Sequence, residues 1–432
     1  MSSKYCGAIA LAGFSTLASA APDETAAGFV EDSHLTVTAR NFYFLRDYHN
    51  APNRSNNGEE WAQGFIADFA SGYTHGVIGF GIDAQATLGI KLDSGPGRSG
   101  RGLLAVDEDG EPRDEFSKIN GAVKAKIGET VIKYGSQMPT APVFATGTAR
   151  LLPSTAEGWS ILSTDIQNVT IDAGHFTRGT GGASTNRDGT FFTSYGGTEF
   201  NAATFAGFTY KPITDLSLTL YGAKYENLWK QAYVNANYNL VLSDQQALNF
   251  DFNAYDTKET GSAKAGKIDV LAWSFATSYS ISAHKFTLAY QQIDGDEPYD
   301  YLLQDGGNAG NSVWLNNSVQ YSDFNGPNEK SVQARYDLNM ASYGVPGLSF
   351  MVRYVKGFDI DGSKADPNGA YAGLYGSDEK HWERNIEVKY VVQSGPAKDL
   401  SFRVRQATHR ASSFDNDLDE VRVITEYPLN IF

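Results

Sequence analysis

The chain of 432 residues has a single cysteine, Cys6, and only four methionines. Cys6 lies in a stretch with the marks of a secretory signal. Lys4 opens it, Ala8 to Leu17 form an apolar core, and Ala18-Ser19-Ala20 is an A-x-A cleavage site. Cleavage there leaves a mature chain without thiols. Disulfides and cysteine-ligated metals are then excluded, and a secreted chain of this size must be held by packing and hydrogen bonds. No apolar run reaches the roughly 18 to 20 residues that a membrane-spanning helix needs. Cationic excess is also missing: the formal net charge is −15 and grows by one when Lys4 leaves, which argues against nucleic acid as a partner.

Catalytic and metal signatures are absent too. There is no G-x-S-x-G, H-E-x-x-H or C-x-x-C. The histidines (His34, His49, His75, His175, His284, His381, His409) are scattered, none at ligand spacing, and read as rim or loop residues. Asp107-Glu108-Asp109 and the acids from Asp415 to Glu420 read as solvated loop charge. No cofactor, metal or enzymatic activity is expected.

What remains is alternation. Aromatic residues make up 13% of the chain, and from residue 34 onward period-two patterning is nearly continuous. It predicts eighteen strands, at 34–46, 60–71, 75–91, 118–126, 129–138, 158–164, 168–177, 199–210, 214–225, 228–240, 246–256, 267–280, 283–292, 331–338, 347–357, 382–392, 398–409 and 419–428. Most match the 9 to 11 residues of a tilted membrane strand. Short turns alternate with long polar loops, the tight connection near Glu226-Asn227 excepted. That layout fits an all-β transmembrane antiparallel barrel of 18 strands, with long extracellular loops and short periplasmic turns. The even count puts both ends on the periplasmic side. The expected organisation is a signal peptide at 1–20, a periplasmic segment at 21–33 and the barrel at 34–432. The last strand ends on Phe432, with Val421, Val423, Tyr427, Leu429 and Ile431 on one face.

Alternation stops in GSQMPTAPVFATGTARLLPSTAEGW, residues 135–159. Three prolines and one cation, Arg150, mark it as a loop folded into the bore at its narrowest point. In a lipid-embedded barrel the apolar strand faces look outward and the polar faces line water. On that rule Arg335, Arg353, Lys389, Arg403, Arg405 and Arg422 point inward from strands 14 to 18. Arg40 and Arg46 do so from strand 1, their neighbour on closure. Asp337, Glu383, Glu387 and Glu426 share that wall. Charged rings of this kind are how pores select solutes.

RNFYFLRDYHN in the first strand, ARLLPST in the central loop, GHFTRG after strand 7 and the closing DEVRVITEYPLNIF together resemble the OprD family of outer-membrane substrate-specific channels. The resemblance spans nearly the whole mature chain and implies an eighteen-stranded barrel, inward-folded loops and a basic ladder on one wall. It implies Arg150 as the constriction cation, Arg178 facing the same space, and Arg40, Arg403 and Arg405 in the ladder. Arg335, Arg353, Arg422 and Lys389 rest on the face assignment alone. The implied function is selective passive uptake of small carboxylate-bearing solutes, organic or aromatic acids, by an integral protein of the bacterial outer membrane. The partners would be anionic or zwitterionic solutes and outer-membrane lipid, with a monomer or loose trimer as the assembly. A channel for basic amino acids or dipeptides stays open, because Asp294, Asp296, Asp300 and Asp305 offer an opposing negative face. Neutral oligosaccharides fit less well, since Phe42 and Phe44 are the only inward aromatic pair evident. An outer-membrane enzyme or a plugged, non-conducting barrel are the remaining alternatives.

Overall fold

The computed structural model describes residues 28–49, 57–307 and 310–432. The signal segment lies outside these residues. Residues 28–33 form turns that lead into the first strand.

Eighteen strands form one closed antiparallel sheet. In chain order they are β1 His34–His49, β2 Asn57–Ala70, β3 Gly79–Asp93, β4 Glu115–Ile127, β5 Thr130–Gln137 and β6 Thr155–Ser163. They continue as β7 Val169–Thr180, β8 Ala203–Ile213, β9 Leu216–Tyr225, β10 Trp229–Ser243, β11 Gln246–Glu259 and β12 Asp269–Ile281. The last six are β13 His284–Asp294, β14 Lys330–Asn339, β15 Leu348–Ile360, β16 Glu379–Val391, β17 Ser401–Ala411 and β18 Asp417–Asn430. Each strand pairs with its neighbours in sequence, and β1 pairs with β18 from Thr36–Asn430 to His49–Asp417. This closure leaves no edge strand to carry unpaired peptide groups into lipid.

The predicted strands are all present, with shifted ends. One of the larger shifts at a strand start has a cause: Glu199–Phe200 pairs with Phe191–Thr193, which also pairs with Leu302–Gln304, so β8 begins only at Ala203. These three short strands form a small sheet among the inward loops. Leu220, Phe286, Leu288, Phe402 and Val404 are exposed on the outer surface, as a lipid-facing wall requires. On the periplasmic side, a short 3₁₀ turn at Met340–Tyr343 links β14 to β15 and ends at Gly344, whose φ of 84° suits a residue without Cβ.

The buried apolar residues lie inside the barrel, where three long loops fold back. One cluster joins Val143 and Phe144 to Phe176, Phe205, Tyr225 and Tyr255. A second joins Leu151 and Leu152 to Phe42, Phe44, Ile66, Leu103 and Phe116. The loop that interrupts the alternation thus spans the bore from the β7–β11 wall to the β1–β2 wall.

Candidate pore constriction

The central loop, residues 138–154, is held at both ends. A two-residue hairpin, Thr140–Ala141 with Phe144–Ala145, makes its tip rigid. Phe144 stacks on Phe176 at 4.9 Å and on Phe205 at 5.8 Å, and meets Phe191 edge-on at 5.4 Å. The Tyr225 hydroxyl donates to the Val143 carbonyl, and the Tyr255 hydroxyl donates to the Pro142 carbonyl at 3.1 Å. On the other side Arg40 donates through Nη1 to the carbonyls of Arg150 at 2.8 Å and Leu151 at 3.1 Å. Arg40 also pairs with Glu426 at 2.6 Å. It therefore serves as a clamp on the loop backbone.

Two further loops narrow the bore, which a single-loop reading does not anticipate. The carboxylate of Glu60, fully buried, accepts from the backbone N–H groups of Gly100, Arg101 and Leu103, and so draws the 94–114 loop inward. The 295–329 loop is tied to the basic wall. Glu383 accepts from the backbone N–H groups of Tyr321 and Ser322, and Arg422 donates to the Gln320 carbonyl at 3.0 Å.

Strand register fixes the cation wall. Arg335 lies directly across from Arg353, and Arg405 lies between Glu387 and Arg422. Arg422 lies across from Phe44, and Arg403 across from Lys389. Direct cross-strand partners share a face, so the predicted inward cations are on one wall. The Phe44 ring is their meeting point: the guanidinium groups of Arg46, Arg150 and Arg422 stand 5.2, 5.2 and 4.8 Å from its centroid. Arg150 thus lies beside the wall arginines. Its Nε also donates to the Arg101 carbonyl at 3.0 Å.

Carboxylates thread this wall. Glu420, with no exposed side-chain surface, bonds Arg46 and Arg422, each at 2.6 Å. Glu387 bonds Arg403 at 2.8 Å and Arg405 at 3.0 Å, and Asp337 bonds Arg335 at 2.6 Å. Arg353 is buried and donates to Asn385 at 2.9 Å. Arg403 keeps 38% of its side chain exposed, the most among the ion-paired cations of this wall. Arg335, at 35%, and the half-exposed Lys389 are the other partly open cations of this wall.

Three expectations need correction. Arg178 lies apart from this constellation. A register shift pairs Gly158 with Phe176 but Glu157 with Arg178, leaving Thr177 as an extra residue. Such a bulge reverses the facing of the residues beyond it. Arg178 therefore sits opposite the buried Phe176, bonded to Glu157 at 3.1 Å and near Asp188 at 3.7 Å. The histidines are not all rim residues: His381 and His409 are buried, 2.9 Å apart, and His381 bonds Glu329 at 2.7 Å. Nor are the acids from Asp415 to Glu420 all solvated, since Asp415 accepts from Tyr321 and Glu420 is enclosed.

Of Asp294, Asp296, Asp300 and Asp305, Asp300 presents no negative face to the bore. Asp300 is buried and accepts from the backbone N–H groups of Tyr195, Gly196 and Tyr301 and from the Tyr371 hydroxyl. Burial pushes its carboxyl up to about 6. The docked loop therefore holds a proton more tightly than the released loop, so docking gains stability as pH falls through about 6. Between pH 7 and pH 5 the gain is about 1 kcal/mol. Hydrogen exchange at Tyr195, Gly196 and Tyr301, corrected for intrinsic rate, should show rarer opening at pH 5 than at pH 7. The reverse order would mean that this carboxylate does not govern the loop. Asp172 and Asp251 face the bore from the far wall. Tyr221 donates to the first at 3.3 Å, and Asn235 and Asn237 each donate to the second at 2.9 Å.

The family model for the outer membrane porin, OprD family, matches residues 27–431. Porin D of Pseudomonas aeruginosa is 50% identical over 415 residues, covering 94% of this chain and 93% of the relative. A crystal structure of Pseudomonas aeruginosa OprD superposes with a TM-score of 0.82 at 47% identity, covering 94% of this chain and 97% of that one. The structure of Pseudomonas aeruginosa OpdK with vanillate gives 0.83 at 30% identity, over 93% and 100%. Near-complete coverage in sequence and in three dimensions, together with an eighteen-stranded barrel narrowed by inward loops, places this chain in the OprD family of outer-membrane porins.

Proposed function

We propose that the channel passes small carboxylate-bearing solutes, zwitterions included, along the arginine wall. The observation that carries this reading is the ladder in register: Arg335 beside Arg353, Arg405 beside Arg422, and Arg403 beside Lys389, with Arg46 and Arg150 gathered on Phe44. Guanidinium forks suit carboxylates bidentately. Their shared glutamates temper each site, so that a solute is held weakly and released, as conduction requires. The likeness to the OpdK structure with vanillate, an aromatic carboxylate, adds support at the level of the family.

A second reading rests on Asp172 and Asp251. They stand on β7 and β11, while the ladder centres on β17, β18 and β1. In an eighteen-stranded closed sheet β10 is diametric to β1, so a dipolar solute would have its carboxylate drawn to one wall and its ammonium to the other. That is the arrangement expected for amino acids.

Arg403→Ala tests the first reading with little structural cost, because the residue is the most open of the ion-paired cations on this wall. Removing one partly exposed charge contact should slow uptake of a monocarboxylate about fivefold relative to a neutral solute of equal size. Liposome swelling with matched acids, amino acids and sugars measures this directly. An unchanged acid-to-neutral ratio would remove the ladder from the mechanism. Slowed uptake of lysine in Asp251→Asn, with acids unaffected, would favour the second reading.

A further inference from the structure

The lipid-facing surface carries a charged hollow that the pore does not use. It lies on β8 to β11, and strand register orders it into rows. Phe208, Leu220, Val234 and Ala254 form an apolar row. One step toward the extracellular rim, Ala206, Gly222 and Ala232 leave the wall bare, with Asp256 at the end. One step further, Thr204, Lys224, Lys230 and Lys258 lie directly across from one another. Together the bare row and the lysine row enclose a hollow of about 590 Å³ on the outside of the barrel.

The height of this hollow is set by the chain. Lys224 and Lys230 flank the tight connection Glu226–Leu228, made possible by Asn227 at a φ of 56°. Most other extracellular connections are long. The short connection therefore puts the lysine row close to the extracellular end of the barrel wall. Lysines near a membrane boundary commonly extend their ammonium groups to water, but three in register on adjacent strands is a costly way to do so. Strands lie about 4.8 Å apart, and like charges directly opposite destabilise a sheet. Lys258 is compensated by Asp269 at 3.5 Å and Asp256 at 4.0 Å. Among the described residues Lys224 and Lys230 make no ion pair. Glu226 in the turn and Glu259 at the end of β11 are the other nearby acids. Two uncompensated ammonium groups over a bare, apolar-floored hollow are complementary to a phosphate attached to a lipid.

We propose that the hollow seats the phosphorylated sugar headgroup of an outer-leaflet glycolipid. Lys224 and Lys230 donate to its phosphate, the sugar lies over Ala206, Gly222 and Ala232, and an acyl chain continues over Phe208, Leu220 and Val234. The site would tether an annular lipid beside this short connection.

The test uses the full barrel in detergent with purified lipid A, its dephosphorylated form and inorganic pyrophosphate as probes. Native mass spectrometry reads retention, and the temperature of heat-induced unfolding on gels reads stabilisation. Lipid A should be retained and raise the unfolding temperature, and the dephosphorylated form should do neither. Lys224→Ser with Lys230→Ser should bind lipid A about twentyfold more weakly, since each surface cation near an anionic headgroup contributes about fivefold. Lys224→Arg with Lys230→Arg should retain binding, which separates charge from folding. Equal binding by the serine variant, or equal binding of the dephosphorylated lipid, would overturn the proposal. So would pyrophosphate competing as strongly as lipid A, because the site would then take a free anion.

Discussion

Phe144→Ala is expected to raise single-channel conductance severalfold and abolish size selection, while the barrel itself unfolds at nearly the same temperature. The ring is fully buried between Phe176, Phe191 and Phe205. Truncating such a ring costs about 3 to 5 kcal/mol. The whole cost falls on docking of the 138–154 loop, because strand pairing continues on either side of it, from β5 to β6 and from β6 to β7. What remains at that end is the packing of Val143 and hydrogen bonds from Tyr225, Tyr255, Gln304 and Asn311 and from the Ala145 N–H to Ser312. Each bond contributes about 1 kcal/mol net. The balance moves toward a loop anchored mainly at its other end, by the Arg40 clamp and the Leu151–Leu152 cluster. Planar-bilayer conductance with solutes of graded size would check this. Wild-type conductance would mean that the other two inward loops set the bore without it.

The same loop shows how much the sequence discloses. Period-two alternation locates strands because one face of every strand meets lipid, a constraint repeated along the whole barrel wall. It also assigns the facing of Arg40, Arg335, Arg353, Lys389, Arg403, Arg405 and Arg422, since apolar neighbours one residue away must point out. Alternation misleads where the period breaks. Arg178, which the family resemblance places facing the bore, is turned away by one bulged residue, Thr177, in a segment whose glycines and threonines give no apolar face to count. It misleads again inside the bore, where packing is that of a soluble core. His381, His409 and Glu329 look like surface residues in the sequence because nothing local says that a loop will cover them.

Arg101 and Glu60 illustrate the same blindness from two sides. Arg101 lies in a polar loop that reads as extracellular, and Glu60 begins a strand where an inward acid is unremarkable. Only the tertiary fold brings the 94–114 backbone to that carboxylate. A buried glutamate accepting three backbone N–H groups leaves no signature at short range. The inward aromatic residues Phe205, Tyr221, Tyr233 and Tyr255 are a related case. In sequence they are unremarkable strand residues, and in the barrel they form a platform that the central loop covers, so they mount the constriction and do not line a sugar path.

Glu420→Gln should produce the largest electrostatic change. The substitution keeps the shape but removes the one carboxylate that bonds both Arg46 and Arg422, beside which Arg150 also stands over Phe44. Removing one partner of a buried ion pair costs about 3 to 5 kcal/mol, because the remaining charges keep their desolvation penalty. Three guanidinium groups around one ring then repel each other. The least costly relief is movement of what Arg422 and Glu420 hold jointly, the Gln320 segment of the 295–329 loop, whose carbonyl and side chain both depend on them. The variant should unfold at a lower temperature, show noisier current, and shift its reversal potential in a salt gradient toward anions, since a lumen negative charge has gone. Glu420→Asp keeps the charge but shortens its reach, and should restore the ion preference more than the stability. A reversal potential unchanged in Glu420→Gln would mean that the Phe44 cluster lies outside the conducting path, leaving the partly exposed Arg335, Lys389 and Arg403 as the part of the wall that solutes meet.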